Sequence, residues 1–502
     1  MGLPGRQTLF LIAIVPCLAQ TGTLALEATE NGAPVAFRVH LKGPDGNSVR
    51  APGRPFWHDH FVCDGRVSLE LPTGKYAYEV ERGPEYEAIS GSVIVRANAS
   101  KSLTLRLRRL VDMRARGWWS GELHVHRPLD DVPVLMKAED LYVAPVLTWW
   151  NARNIWRERA RPEEALVSFD GHRFYHVMGG EDERQGGAFL ILNRESPLDI
   201  AEAEREWPSP MAFLDRVASE ADTWVDIEKP FWWDVPVALA LGHGDSIGLA
   251  NNHMCRSTMY PSEAWGKPRD ADRLPPPRGN GFWTQEIYYH ILNSGIRIPP
   301  SAGSASGVLP NPVGYNRVYV HADGDLTYEK WWEGLRAGRC FVTNGPLLLV
   351  TANGKLPGHT FVSSDGSPIA IRLDAWLRSR DRVPAIEIIQ NGEVSRTVAF
   401  EQKNRPRSIG AIRFEESGWF LVRAIASNDH TFRFASTAPF YVEIGANERR
   451  ISRASAQFFL DWVQERIQQI TIDDAVKRDD VLQYHHQAKS FWHDRVVNAN
   501  AP

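Results

Sequence analysis

Two regions of short, strand-like alternating runs separated by turns, 26–108 and 346–446, enclose a region of mixed strand and helix spacing, and this change of period limits what the chain can fold into. Residues 35–41, 67–71, 76–80, 92–95 and 103–107 read as strands of an all-β domain, with Gly, Pro and Asp turns between them. Residues 347–351, 369–373, 385–389, 419–424 and 440–444 repeat the pattern as a second β-sandwich, with the Asn391-Gly392 turn in its middle. Between them, 109–345 mixes apolar strands (172–180, 224–227) with helical spacing (210–220, 283–294), which points to an α/β architecture. Residues 447–502 carry helical spacing and form a tail.

A chain of 502 residues has room for several domains and a large core. Residues 1–25 read as an export signal: Arg6 supplies charge, 9–15 is apolar, and Thr23-Leu24-Ala25 offers small residues for cleavage. The apolar run is too short to span a membrane, so the expected product is soluble, in the periplasm or outside the cell. Cys63, Cys255 and Cys340 are too few and scattered for a disulfide framework or a cysteine metal site, although one bridge is open to them. A net charge of -4 without a Lys/Arg block argues against nucleic acid as a partner. Eighteen Trp is a high number, with pairs at Trp118-Trp119, Trp149-Trp150, Trp232-Trp233 and Trp331-Trp332. Most belong in a core, and any lining a cleft would suit a glycan or an aromatic small molecule. The sequence leaves the oligomeric state open.

The chemistry gathers around Gly117–Arg127. Leu123-His124-Val125-His126 alternates, so on a strand His124 and His126 project from one face and Val125 from the other. Two imidazoles so placed can grip one divalent ion. Glu181 and the pair Glu228-Lys229 fall where strands should end, the place where barrel enzymes gather their chemistry. His243, Asp245, Asn252 and His253 are polar residues flanking the apolar run 247–250; Glu183, Arg317 and Trp232 are further candidates for contacting substrate. Trp57-His58-Asp59-His60 reads as a polar loop facing the next domain, with a ligand cluster as the alternative. The segment 303–307 has Ala305 at its centre, so it is no serine nucleophile elbow. The Pro-rich loop 274–281 could close over a site.

Four stretches carry a family resemblance: 118–126, Gly179-Gly-Glu-Asp-Glu183, 245–253 and 301–317. Together they resemble the CehA/McbA group of metallohydrolases in the PHP (polymerase and histidinol phosphatase) superfamily. The order of parts is similar too, and the first β domain resembles the transthyretin-like, carboxypeptidase-regulatory-like sandwiches. The resemblance implies a PHP-like distorted (β/α)7 barrel over 109–345, flanked by the sandwiches over 26–108 and 346–446, with the tail 447–502. It also implies one to three metal ions in a site rich in histidine and carboxylate. His124 and His126 match the first metal motif, and Glu181 matches a glutamate able to bridge two ions.

Elsewhere the family pattern breaks. Gly186-Gly187 stands where the pattern has Gly-His, Lys229-Pro230 where it has His-Pro, and Ala305-Ser306-Gly307 where it has Asp-x-His. Glycine and alanine offer no ligand atom, and a lysine ammonium repels a cation. The resulting expectation is a hydrolase with a reduced site holding one Zn, Mn or Fe ion on His124, His126 and Glu181, with His253 or Asp226 as a fourth donor. Lys229, His243 and His253 would assist catalysis. Glu183, Asp245, Asn252, Arg317 and Trp232 would contact an ester, carbamate, phosphoester or glycoconjugate. Two alternatives stay open: Lys229 as the working group, as a base or as an anchor for an anionic substrate, and a catalytically silent PHP-fold protein that binds a glycan or other ligand in an aromatic-rich pocket.

Overall fold

The computed structural model describes residues 20–402, 405–446 and 449–502. Arg6 and the apolar run 9–15, on which the export expectation rests, lie outside the described residues, as do 447 and 448 at the expected start of the tail. The protein is multidomain and rich in sheet, with a few helices.

The first domain is a β-sandwich. One sheet places Thr21–Glu30 between Arg66–Pro72 and Ser100–Arg106; the other runs Phe56–Trp57, His60–Cys63, Phe37–Lys42, Gly74–Glu81, Ile89–Val95. Alternation builds it: Val67, Leu69 and Leu71 point inward from Arg66–Pro72 while their neighbours are exposed. Thr21–Glu30 runs across the expected boundary at residue 25. Leu24, Leu26 and Ala28 are fully buried from this central strand, so 21–25 belong to the sandwich.

In the central region the strand pairings form a closed ring. Trp118–Gly121 lies parallel to Val143–Trp150, which lies parallel to Arg173–Arg184. Gly187–Leu192 is antiparallel to both its neighbours, Arg173–Arg184 and Trp224–Ile227. Ser246–Ala250 and Pro300–Ala302 continue in parallel. The ring closes where Leu123 N donates to Ala302 O at 3.0 Å and Val125 bridges Ser306. Val143–Trp150 is buried along nearly its whole length, as a strand covered on both faces must be. Helices Val132–Glu139, Pro210–Val217, Val235–Ala240 and Gly279–Asn293 lie in the connections. A regular strand–helix alternation is not present: a hairpin joins Arg173–Arg184 to Gly187–Leu192, and no α-helix occurs between Trp150 and Arg173.

The second sandwich packs Leu347–Ala352, Ile369–Arg378 and Arg407–Phe414 against a sheet continuous with the central one, through Cys340–Thr343 paired to Phe434–Thr437. Its core includes Leu348, Ile371, Leu373, Trp376, Phe420 and Val422. In the tail, helix Arg453–Gln469 is capped by Ser452 and helix Ala475–Val497 by Asp474. Both dock on the central region. Trp492 is fully buried and donates to Pro236 O at 2.8 Å, and Arg466 reaches Asp234 Oδ1 at 2.8 Å.

Candidate metal centre

The parallel strands end on one side of the ring, and the side chains that follow those ends meet there. Val125, buried in a cluster with Ala144 and Val146, turns His124 and His126 to its opposite face. Glu181 stands opposite Trp150 on the neighbouring strand. His124 Nε2 and His126 Nε2 are 3.0 Å apart. Glu181 Oε2 lies 3.1 Å from His126 Nε2 and 3.5 Å from His124 Nε2. Donors bound about 2.1 Å from one tetrahedral ion stand roughly 3.4 Å from each other. The three atoms are therefore spaced as one ion requires, and a neutral-imidazole and carboxylate set suits a zinc-class cation.

Charge around these atoms is finely divided. Burial would lower the His124 imidazole, but Glu181 and Glu228 outweigh it and push it up to about 10. His126 is lowered, chiefly by burial. Burial would raise Glu181 as well, yet His124 and His126 hold it well below the carboxylate range. Glu228, missed by the sequence reading as a ligand candidate, has Oε1 3.3 Å from His124 Nδ1. Its other oxygen accepts from Lys229 Nζ and, at 2.9 Å, from Trp232 Nε1. Against its burial, Lys229 and His124 bring Glu228 down to about 2. The available signal was its position, immediately after the apolar end of Trp224–Ile227.

Several other candidates share this side of the ring. Lys229 Nζ stands 4.5 Å over the Trp232 ring, which stacks at 4.8 Å on exposed Trp265. His126 packs against Trp150 at 5.1 Å, and Trp150 Nε1 donates to Glu183 Oε2 at 3.1 Å. Burial and the neighbouring Glu181 push Glu183 up to about 8. His253 is buried, stacks on Tyr260 at 4.8 Å, and has no hydrogen-bond partner at Nδ1. Burial and Lys229 lower it to about 3. Asn252 is buried with Oδ1 unpartnered.

Other candidates are placed elsewhere. His243 and Asp245 precede Ser246–Ala250 and so lie at the opposite end of that strand from Asn252 and His253. His243 Nε2 meets Asp215 at 3.0 Å, while Asp245 accepts from Val225 N at 2.9 Å and Arg336 at 3.2 Å. These bonds tie loops and helices together at the ring's other face. Arg317 is fully buried on the backbone oxygens of Gly314 and Glu139, at 2.6 and 3.0 Å. Asp226 accepts from Ser246 Oγ at 2.5 Å and from Ser301 Oγ, so its carboxylate is engaged by hydroxyls.

Where the family pattern breaks, space is already filled. A Cβ on Gly187 would stand 2.3 Å from Trp232 Cβ, and one on Gly186 would meet the Asp234 carboxylate at 1.9 Å. A Cβ on Gly307 would meet His126 O at 2.3 Å. Ala305 is held at a φ of 49°, a left-handed conformation unusual for alanine.

No family model matches the sequence, and no curated protein matches it. Among solved structures, the chain is similar to GBS52, the minor pilin of Streptococcus agalactiae, at 17% identity and a TM-score of 0.17, over 18% of this chain and 46% of that one. It is similar to the pilus-presented adhesin Spy0125 (Cpa) at 16% identity and a TM-score of 0.15, over 19% of this chain and 28% of that one. Bacteroides uniformis beta-glucuronidase 3, in its apo form, aligns at 11% identity and a TM-score of 0.15, over 85% of this chain and 62% of that one. The chain spans less than half the length of either pilus protein, and likenesses at these scores carry no argument about activity.

Proposed function

We propose that the chain is an exported, metal-dependent hydrolase of the PHP type with a reduced, one-ion site, acting on an ester, carbamate, phosphoester or glycoconjugate. The observation that carries this reading is the convergence of His124 Nε2, His126 Nε2 and Glu181 Oε2 within 3.5 Å of one another. The closed strand ring and the motif resemblance over 118–126 support the same superfamily.

A divalent ion in this site supplies Lewis acidity toward water and the scissile group. His124, His126 and Glu181 hold it. Glu183, raised by burial and by Glu181 in the metal-free chain, is the carboxyl placed to pass a proton to a leaving group. Lys229 presents a cation beside Glu228 that can receive an anionic substrate group. Trp150 and exposed Trp265 offer flat faces to a sugar or aromatic ring, whereas Trp232, 1% exposed beneath Trp265, only supports them.

One observation favours the rival reading of a silent ligand-binding protein. Lys229 is bound to Glu228, whose Oε1 lies 3.3 Å from His124 Nδ1, so a lysine cation stands close to the donor set and opposes an ion there. Elemental analysis after supplying Zn, Mn and Fe separates the two readings, with a His124→Ala/His126→Ala chain alongside. The hydrolase reading expects a transition metal lost in the variant, and metal-dependent turnover on an ester, carbamate and phosphoester panel. Metal content unchanged by the double substitution removes this reading.

A further inference from the structure

We propose that His40, Asp59 and His60 form a second metal site, of the zinc class, at the seam between the N-terminal sandwich and the central region. The backbone builds it. Phe37–Lys42 and His60–Cys63 pair antiparallel with Val39 opposite Phe61, which brings His40 and His60 side by side. Trp57 pairs with His60 across the two-residue turn His58-Asp59, and His58 adopts a φ of 48° to make it. The turn delivers the Asp59 carboxylate between the rings.

The donor atoms are spaced as ligands of one ion are. Asp59 Oδ2 lies 3.1 Å from His40 Nδ1, and Asp59 Oδ1 lies 3.1 Å from His60 Nδ1. The three residues offer ligand atoms all within 4.8 Å of one another. The ring centroids are 5.1 Å apart with the planes tilted 46°. His40 and His60 are 6% and 2% exposed; His40 Nδ1 faces Asp59, while its Nε2 has no hydrogen-bond partner, the Glu81 carboxylate standing 3.8 Å away. A buried imidazole pair sharing one carboxylate, with a ring nitrogen left unmatched, has donor capacity that the protein atoms do not fill. The Asp59 side chain is 27% exposed, which gives an ion a way in. Arg38 and Arg256 stand nearby, but each is paired with carboxylates, Arg38 with Glu81 and Glu139, Arg256 with Glu79 and Glu81. Two imidazole nitrogens and a carboxylate leave one position of a tetrahedral ion for water.

The role that follows is architectural. The same hairpin binds the central region on both sides: Trp57 Nε1 donates to Leu309 O at 2.7 Å, and Arg127 donates to Phe56 O at 3.3 Å. Arg127 directly follows His126. An ion on His40, Asp59 and His60 fixes this hairpin and, through it, the backbone beside the first centre.

The test uses the full-length chain carrying His124→Ala/His126→Ala, so that the first centre cannot hold metal. After Zn²⁺ loading and desalting this chain should retain about one equivalent, and its melting temperature should rise with zinc. Adding Asp59→Asn, or separately His60→Gln, should remove that equivalent and abolish the zinc-dependent rise. Co²⁺ loading of the same chain should give the visible bands of a tetrahedral ion. Zinc absent from the His124→Ala/His126→Ala chain overturns the proposal, and so does zinc that persists through both added substitutions. If the added variants do not fold, the zinc titration of the double variant decides alone. The hydrolase reading fails by a different result: wild-type metal content unchanged by His124→Ala/His126→Ala.

Discussion

Gly187 lies against Trp232 with no room for a side chain: a Cβ on Gly187 would stand 2.3 Å from Trp232 Cβ, and the Gly187 φ is 130°. The position where the family pattern has histidine is thus occupied by an indole whose Nε1 donates to Glu228 at 2.9 Å. Restoring the histidine should not restore a ligand. Gly187→His is expected to displace Trp232 and cost about 1–3 kcal/mol or more through overpacking and backbone strain. Its metal content should stay at the wild-type level. Denaturant melts and elemental analysis check both parts; a gain of one ion in Gly187→His would show that the indole yields.

Protons should report on the first centre. In the metal-free chain His124, pushed up to about 10, carries a proton at neutral pH, while His126 is lowered and Glu181 is held ionised. An ion needs His124 neutral, so binding must expel close to one proton between about pH 7 and 9. Affinity should then rise about tenfold per pH unit over that window, since one proton per ion corresponds to about 1.4 kcal/mol per unit. Titration calorimetry in buffers of different ionisation enthalpy measures the released proton directly. No release at pH 7.5 would mean that His124 is already neutral.

What the sequence displayed and what it concealed follow from how each residue is specified. The period-2 pattern of Leu123-His124-Val125-His126 states which side chains share a face, so that pair was legible. Ends of apolar runs located Glu181 and Lys229. Leu24, Leu26 and Ala28 alternate just as visibly, but the charge and apolar run before them read as a leader and drew the boundary to residue 25. His40 and His60 were not legible together, because their proximity depends on the strand register Val39 to Phe61, which alternation alone does not fix. His243 and Asp245 were attractive by residue type. They precede Ser246–Ala250, at the opposite end of that strand from Asn252 and His253.

The helical tail should depend on one buried ionic network. Asp234 accepts from Arg466 Nε at 2.8 Å and meets His485 Nε2 at 3.3 Å, and Arg466 also holds Glu206 at 2.6 Å. Burial would raise Asp234, but Arg466 and His485 hold it well below the carboxylate range. Arg466→Met strands that carboxylate and should cost about 3–5 kcal/mol at pH 7. A depressed carboxylate stabilises the fold above its unfolded value of about 4, and this contribution is lost as pH falls through the folded value. The gap between wild type and Arg466→Met should therefore narrow below about pH 4. Urea melts at pH 7 and pH 3.5 test this, and a gap that widens in acid would contradict it.

Lys229 sets the sign of the last expectation. Its ammonium binds Glu228 Oε2 while Glu228 Oε1 reaches to 3.3 Å from His124 Nδ1, so one cation already stands at the edge of the metal centre. Two like unit charges roughly 4–8 Å apart at an effective dielectric near 20 oppose each other by about 2–4 kcal/mol, before screening and relaxation reduce it. Lys229→Met keeps the apolar stem beside Trp232, removes the charge, and releases Glu228 to face an ion. Metal affinity should rise at least about tenfold, a fraction of the unscreened figure. If Lys229 also receives the anionic part of a substrate, the same variant should raise KM for a phosphoester while leaving KM for a neutral ester little changed. Chelator competition and the paired kinetics separate these effects. Weaker metal binding in Lys229→Met would instead mean that Lys229 is needed to hold Glu228, and with it His124, in place.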